Sequence, residues 1–166
     1  YKMKTSHYLG KISDFLDGVI VKIVFLGILC MIVSISLQII FRVFFDALVW
    51  TEEAARYLLV WSSFLGATLA YKRKMHIAIT AVVELLPKAL RKTVELVSIA
   101  LSILFFAICA YYGLQLMTTQ GYQLSPALRL PMKYVYLGVP LSFIVMLIHG
   151  MNLIVETIFD KGEVEA

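Results

Sequence analysis

The sequence predicts an all-α membrane protein: four transmembrane helices, both termini in the cytoplasm, and a short interfacial amphipathic helix between the second and third spans. Three observations predict it. Apolar residues make up 61% of the chain, against roughly 45 to 50% in soluble domains, and the mean hydropathy is +0.87. Apolar runs at 19–41, 54–71, 94–117 and 134–155 are each about 18 residues or longer, enough to cross roughly 30 Å of hydrocarbon. Lys and Arg gather in alternate connecting segments, the positive-inside pattern. The helices and their connections consume residues 1–166 as a single domain. Any chemistry would therefore have to be built from the spans themselves.

The first run follows a basic head, Lys2, Lys4 and Lys11, as a secretory signal would. A signal core, however, is about 7 to 15 residues long and ends in small residues. This run is longer and ends in Ile40-Phe41-Arg42-Val43-Phe44, so it is read as a retained helix. Lys22, one turn inside it, is placed to reach back to cytoplasmic headgroups as an anchor.

The second run opens on Trp50-Thr51-Glu52-Glu53-Ala54-Ala55-Arg56-Tyr57. Thr51 suits a helix cap, and Glu52 and Glu53 suit a first turn, where the helix dipole favours negative charge. Arg56 follows Glu52 by four residues and Glu53 by three, so a carboxylate and guanidinium cluster is expected at the outer membrane edge. Trp50, Tyr57 and Trp61 flank it as interfacial aromatics. Ala55, Ser62, Gly66 and Ala70 share one face and allow close helix approach, within the chain or against a partner. The run stops at Tyr71-Lys72-Arg73-Lys74-Met75-His76-Ile77.

Residues 77–86 are too short to cross and are expected to lie along the cytoplasmic surface. Pro87 suits the first turn of the next helix, with Lys88, Arg91 and Lys92 facing anionic headgroups. A helix from there to about Thr119 would be roughly 48 Å long and must tilt or protrude. Gly121, Ser125-Pro126 and Leu130-Pro131 then mark a turn-rich loop. Its apolar members, Tyr122, Leu124, Leu128 and Leu130, imply that it packs on protein or on the membrane interface. Arg129 and Lys133 in this loop weaken the charge contrast without reversing it. The last run holds His149, with Gly150 and Asn152 nearby, and is read as carrying a hydrogen-bonded packing histidine.

No carboxylate falls deep in a predicted span, and no internal repeat is visible, so the chain makes a poor solitary ion-coupled transporter. Cys30 and Cys109 stand alone in apolar runs without metal or redox spacing. No catalytic residue, metal site or cofactor is expected. The formal net charge of +4 sits at membrane edges and gives no reason to expect nucleic acid as a partner.

The stretch from Trp50 to Tyr57, followed by Trp61, Phe64-Leu65-Gly66-Ala67, Arg73, His76-Ile77 and Pro87, resembles the small membrane subunit of tripartite ATP-independent periplasmic (TRAP) transporters, the DctQ/SiaQ-like family. Ser125-Pro126-Ala127-Leu128, Pro131 and Pro140 extend the resemblance along the chain. Lys74-Met75 stand where that family often has a glycine before the histidine. The resemblance implies a non-enzymatic subunit in the bacterial inner membrane, part of a sodium-driven importer of organic acids such as sialic acid or C4-dicarboxylates. It also implies two protein partners, a large multispan permease working as an elevator and a periplasmic substrate-binding protein.

In that setting the chain would be a scaffold that binds the permease. Trp50, Glu52, Glu53, Arg56, Tyr57, Trp61, Ser62, Gly66 and Ala70 are the candidate interface, while Lys22, Lys72, Arg73, Lys74, His76, Lys88, Arg91 and Lys92 are the candidate membrane anchors. Two rival classes are weighed. A haem-bearing anchor of an electron-transfer complex needs paired histidines at one depth, which His7, His76 and His149 do not supply. A small proton-coupled multidrug exporter needs a membrane-embedded carboxylate, and the first predicted span has none.

Overall fold

A computed structural model of the chain describes residues 2–73 and 88–159. Among these residues every regular element is helical, and the only extended pairing is an isolated bridge between Leu124 and Pro131. Helix α1 runs Lys2–Phe44, α2 Val49–Lys72 and α3 Lys88–Gln120. A single turn, α4, covers Lys133–Tyr136 and leads through Leu137 into α5, Gly138–Phe159. The predicted interfacial segment 77–86, with Lys74 and His76, lies outside the described residues.

α1 and α2 form an antiparallel hairpin, and α5 packs on both of them and on α3. Among the described residues α1 and α3 do not meet. Apolar side chains explain the arrangement. Ile20, Leu65 and Val145 join α1, α2 and α5 in one buried cluster, edged by Leu16, Val24, Trp61 and Leu69. A second cluster, Tyr71, Ile99, Phe106, Met146 and Leu153, joins α2, α3 and α5, with Tyr71 set edge-on to Phe106 at 4.8 Å between ring centroids. Two glycines let backbones approach where a side chain would obstruct. A Cβ on Gly27 would stand 2.7 Å from Ser62 Oγ, and one on Gly138 would stand 3.0 Å from the Trp61 ring.

Among the described residues, three stretches are long and apolar enough to cross a membrane: Gly10–Phe44, Lys92–Gln120 and Lys133–Val155. Helix α2 is not among them, although its 24 residues extend roughly 36 Å. Arg56, Ser62, Ser63, Thr68 and its Trp and Tyr residues dilute its apolar content. Within the most apolar windows, 50% of residues are buried in α5 against 17% in α3 and 6% in α1, so α5 is the interior helix and α1 the peripheral one.

Helix α1 extends well before the apolar run at 19–41, starting at Lys2, and one expectation, the Thr51 cap, is corrected. Leu16 and Ile20 continue its apolar stripe, and Ser13 and Asp14 give the earlier turns polar partners on α2 and α5. The second helix begins at Val49 with Leu48 at its N-cap, and no side chain caps it. The Thr51 hydroxyl instead donates backwards to the Leu48 carbonyl at 2.7 Å, with Thr51 fully buried.

Candidate functional site

Among the described residues, the side-chain ion pairs lie at the two ends of the α1–α2 hairpin. At the α2 start, the acidic pair is divided by helix geometry. Adjacent residues on a helix point about 100° apart, so Glu52 and Glu53 cannot share a face. Glu52 pairs with Arg56 at 2.9 Å, both side chains more than 60% exposed. An exposed pair of this kind is worth about 0 to 1 kcal/mol.

Glu53 turns inward and is only 7% exposed. Its Oε2 accepts the backbone N–H groups of Ala127 at 2.8 Å and Leu128 at 2.9 Å, and its Oε1 accepts the Tyr57 hydroxyl. The expected three-residue charge cluster is therefore not formed, because Glu53 is committed to the loop between α3 and α4 and Arg56 to Glu52. Burial by itself would raise the Glu53 carboxyl. Donors from Tyr57, Leu128, Ser125 and Ala127 outweigh it and bring the group from 4.5 to about 2.

The loop that receives this carboxylate is ordered by its own backbone. Ser125 N–H donates to Leu130 O at 2.9 Å, Arg129 N–H to Ser125 O at 3.1 Å, and Leu130 N–H to Ser125 Oγ at 3.1 Å. Arg129 takes a left-handed φ of 51° to close the turn. Met132 N–H bonds Gln123 O at 2.8 Å, fastening the loop's two strands. The turn aims the N–H groups of Ala127 and Leu128 at one point, where an anion is favoured. Tyr122 (92% exposed), Leu124 and Leu130 project outward from this fixed frame.

At the opposite end Lys72 is gripped by α1. Its ammonium donates to Ser13 O at 3.0 Å and to Asp14 at 2.8 Å, with Asp17 at 4.0 Å, while Arg73 lies 3.7 Å from Asp17. The Ser13 side chain in turn bonds His149 Nδ1 at 2.8 Å, tying α1 to α5, and both residues are buried. His149 is thus the hydrogen-bonded packing histidine that its setting predicts. Ser13, Asp14 and Asp17 escape sequence reasoning because they precede the apolar run at 19–41 on the same helix. The signal was present in Ile12, Phe15, Leu16, Val19 and Ile20, whose helical spacing runs upstream of residue 19.

Trp61 is partly buried against the α5 start, and Tyr57 reaches the Met132 sulfur at 3.5 Å as well as Glu53. Of the small-residue face, Ala55 and Ser62 are buried within the chain, whereas Gly66 has nothing within 4 Å of where a Cβ would stand. Trp50 is exposed, as are Lys22 and Lys92. Lys88 and Arg91 occupy the first turns of α3. Among the described residues no three His, Cys, Asp or Glu side chains gather as a metal site requires.

The family model for the DctQ component of tripartite ATP-independent periplasmic transporters matches residues 31–160. The chain belongs to the DctQ family. It is a multi-pass protein of the inner membrane and a transport component. A TRAP transporter small permease protein of Haemophilus influenzae is 30% identical over 142 residues, covering 82% of this chain and 86% of the relative. The isethionate TRAP transporter permease protein DctMQ of Oleidesulfovibrio alaskensis is 32% identical over 70% of this chain. The sialic acid TRAP transporter permease protein SiaT of Haemophilus influenzae is 25% identical over 84% of it. The matched regions span 20% and 22% of those two longer relatives.

Proposed function

We propose that this DctQ-family chain is the fixed scaffold subunit of a sodium-coupled importer of organic acids, binding and stabilising a large permease subunit without transporting anything alone. The observation that carries the reading is the family match over residues 31–160, joined to a fold that leaves most of the α1 and α3 surface apolar and uncovered. Phe15, Phe25 and Leu26 on α1 and Leu101, Leu104 and Phe105 on α3 are all exposed. Two relatives whose names describe a permease are about five times as long as the region they share with this chain, which supports a large membrane partner. Their names, for isethionate and sialic acid, support an organic acid as the cargo class, with C4-dicarboxylates in the same class. A periplasmic substrate-binding protein completes the assembly, as the family's description supports.

In this reading α2 is a fourth span. Its polar residues are tolerated because Ser62 and Thr68 are buried against protein rather than lipid. The Lys72 end faces the cytoplasm, as the basic segment Lys72, Arg73, Lys74, Lys88, Arg91 and Lys92 favours. Both termini then lie inside, and segment 77–86 rests on the inner surface with His76 and the basic residues as anchors. Glu53 and its loop face outward. Trp50, Glu52, Arg56 and the open Gly66 position remain accessible for a partner, and Tyr57, Trp61, Ser62 and Ala70 support that surface from within.

The test is purification and reconstitution. The tagged chain should bring down its large permease from solubilised membranes, and liposomes holding this chain alone should show no sodium-driven uptake. Sodium-driven uptake by the chain alone would overturn the proposal.

A further inference from the structure

His149 is bonded at only one of its two ring nitrogens. Its Nδ1 meets Ser13 Oγ at 2.8 Å, and the second nitrogen, Nε2, points away from that bond. Nε2 is buried and has no hydrogen-bond partner among the described residues. The residue as a whole is 1% exposed, so bulk solvent does not serve it. A second such atom belongs to Asp17. Its Oδ2 faces Lys72 at 4.0 Å and Arg73 at 3.7 Å, whereas Oδ1 of the same carboxylate is buried and without a hydrogen-bond partner among the described residues.

The two atoms share one corner of the fold. Asp17 follows Ser13 by four residues on α1, which puts both on one face with roughly 5–6 Å between Cβ atoms, and Ser13 is bonded to His149. Ile20, one turn beyond Asp17, and Val145, one turn before His149, are buried together in the cluster with Leu65. Apolar packing therefore closes the corner on that side. Towards the end of the hairpin, the Lys72 ammonium lies across it, between Ser13 O at 3.0 Å and Asp14 at 2.8 Å.

We propose that α1 and α5 hold a buried water molecule between His149 Nε2 and Asp17 Oδ1. The two atoms are not bonded to each other, and a water oxygen, with two protons to give and two lone pairs to receive, spans a gap that the side chains do not close. A buried polar atom without a partner is costly, and internal water is the ordinary means by which proteins meet that need. Water suits either tautomer of the ring. If Nδ1 carries the proton, water donates to both Nε2 and Oδ1; if Nε2 carries it, water accepts from the ring and donates to Oδ1. A metal ion suits the corner less, because no three His, Cys, Asp or Glu side chains gather among the described residues. The water is a second tie between α1 and α5 beside the Ser13 bond, and it stands whether or not the chain serves as a scaffold.

The test uses the full chain in detergent micelles, with its three histidines isotopically labelled and His149 assigned by the loss of its signal in His149→Phe. The ring proton Hδ2 lies beside Nε2 and remote from Nδ1, so it reports on the unpaired nitrogen. At neutral pH it should show a nuclear Overhauser contact with water, and Asp17→Leu should abolish that contact. No contact in the wild type, or an undiminished one in Asp17→Leu, would overturn the water site. Thermal unfolding of Asp17→Leu, His149→Phe and the double variant gives an independent reading. The double variant removes both partners of the water, so its loss in melting temperature should be clearly smaller than the two single losses together. Additive losses would overturn the bridge, as would coupled losses without the water contact, which would mark a direct bond between the two side chains.

Discussion

Glu53 shows how a single carboxylate organises a distant loop. It lies 74 residues before Ala127 in sequence, yet it satisfies two loop N–H groups that would otherwise be shielded from water without partners. A carboxylate lowered from 4.5 to about 2 binds fewer protons in the folded chain than in the unfolded one. Its contribution is therefore fully present above about 4.5 and is lost as pH falls towards 2. Glu53→Gln presents an amide, half of it a donor, to a site built of donors. The variant should melt a few degrees below the wild type at pH 7 in detergent. The gap should narrow as pH falls from 4.5 towards 2, and a gap of constant size across that range would exclude the charged clasp. The paired charges Glu52 and Arg56 were legible from spacing alone. Glu53's commitment was not, because its donors are backbone groups in a loop that no periodicity describes.

Among elements, the helices were the most legible part and their beginnings the least. Long apolar runs announce α1, α3 and α5, but α1 begins where polar side chains meet partners on other helices, and a hydropathy run cannot register such meetings. Helix α2 shows the opposite problem. Its buried Ser62 and Thr68 are compatible with a protein interior but lower its apolar score. Packing between elements depends on small residues at particular points, and the sequence does not say which glycine faces which helix. Gly138 is decisive here, because the Trp61 ring occupies the space above it. Gly138→Leu should force the α5 start away from α2 and cost about 1–3 kcal/mol. Thermal unfolding in detergent measures this, while Gly66→Leu, with open space at that position, should leave the unfolding temperature of the isolated chain nearly unchanged.

Across the described residues, α5 is the element on which the others converge: α1, α2 and α3 all pack against it, while α1 and α3 make no contact there. Helices α2 and α3 approach through large side chains such as Tyr71 and Phe106, with Met146 and Leu153 of α5 completing the same cluster. Removing α5 therefore removes the common neighbour. A chain ended after Leu137 should still reach the membrane but lose a single monodisperse peak in size-exclusion chromatography. A peak as sharp as that of the full chain would show that α1, α2 and α3 cohere unaided.

The centrality of α5 also bears on biosynthesis, since the segment on which the others depend is the last of them to leave the ribosome. The α1–α2 hairpin can close early, drawn together by Ser13, Asp14 and Lys72. Helix α3 enters lipid with a vacant flank, and Ser13 waits for His149, made 136 residues later. Until α5 is inserted the nascent polypeptide is a hairpin and a loose neighbour, its helices without the element that joins them.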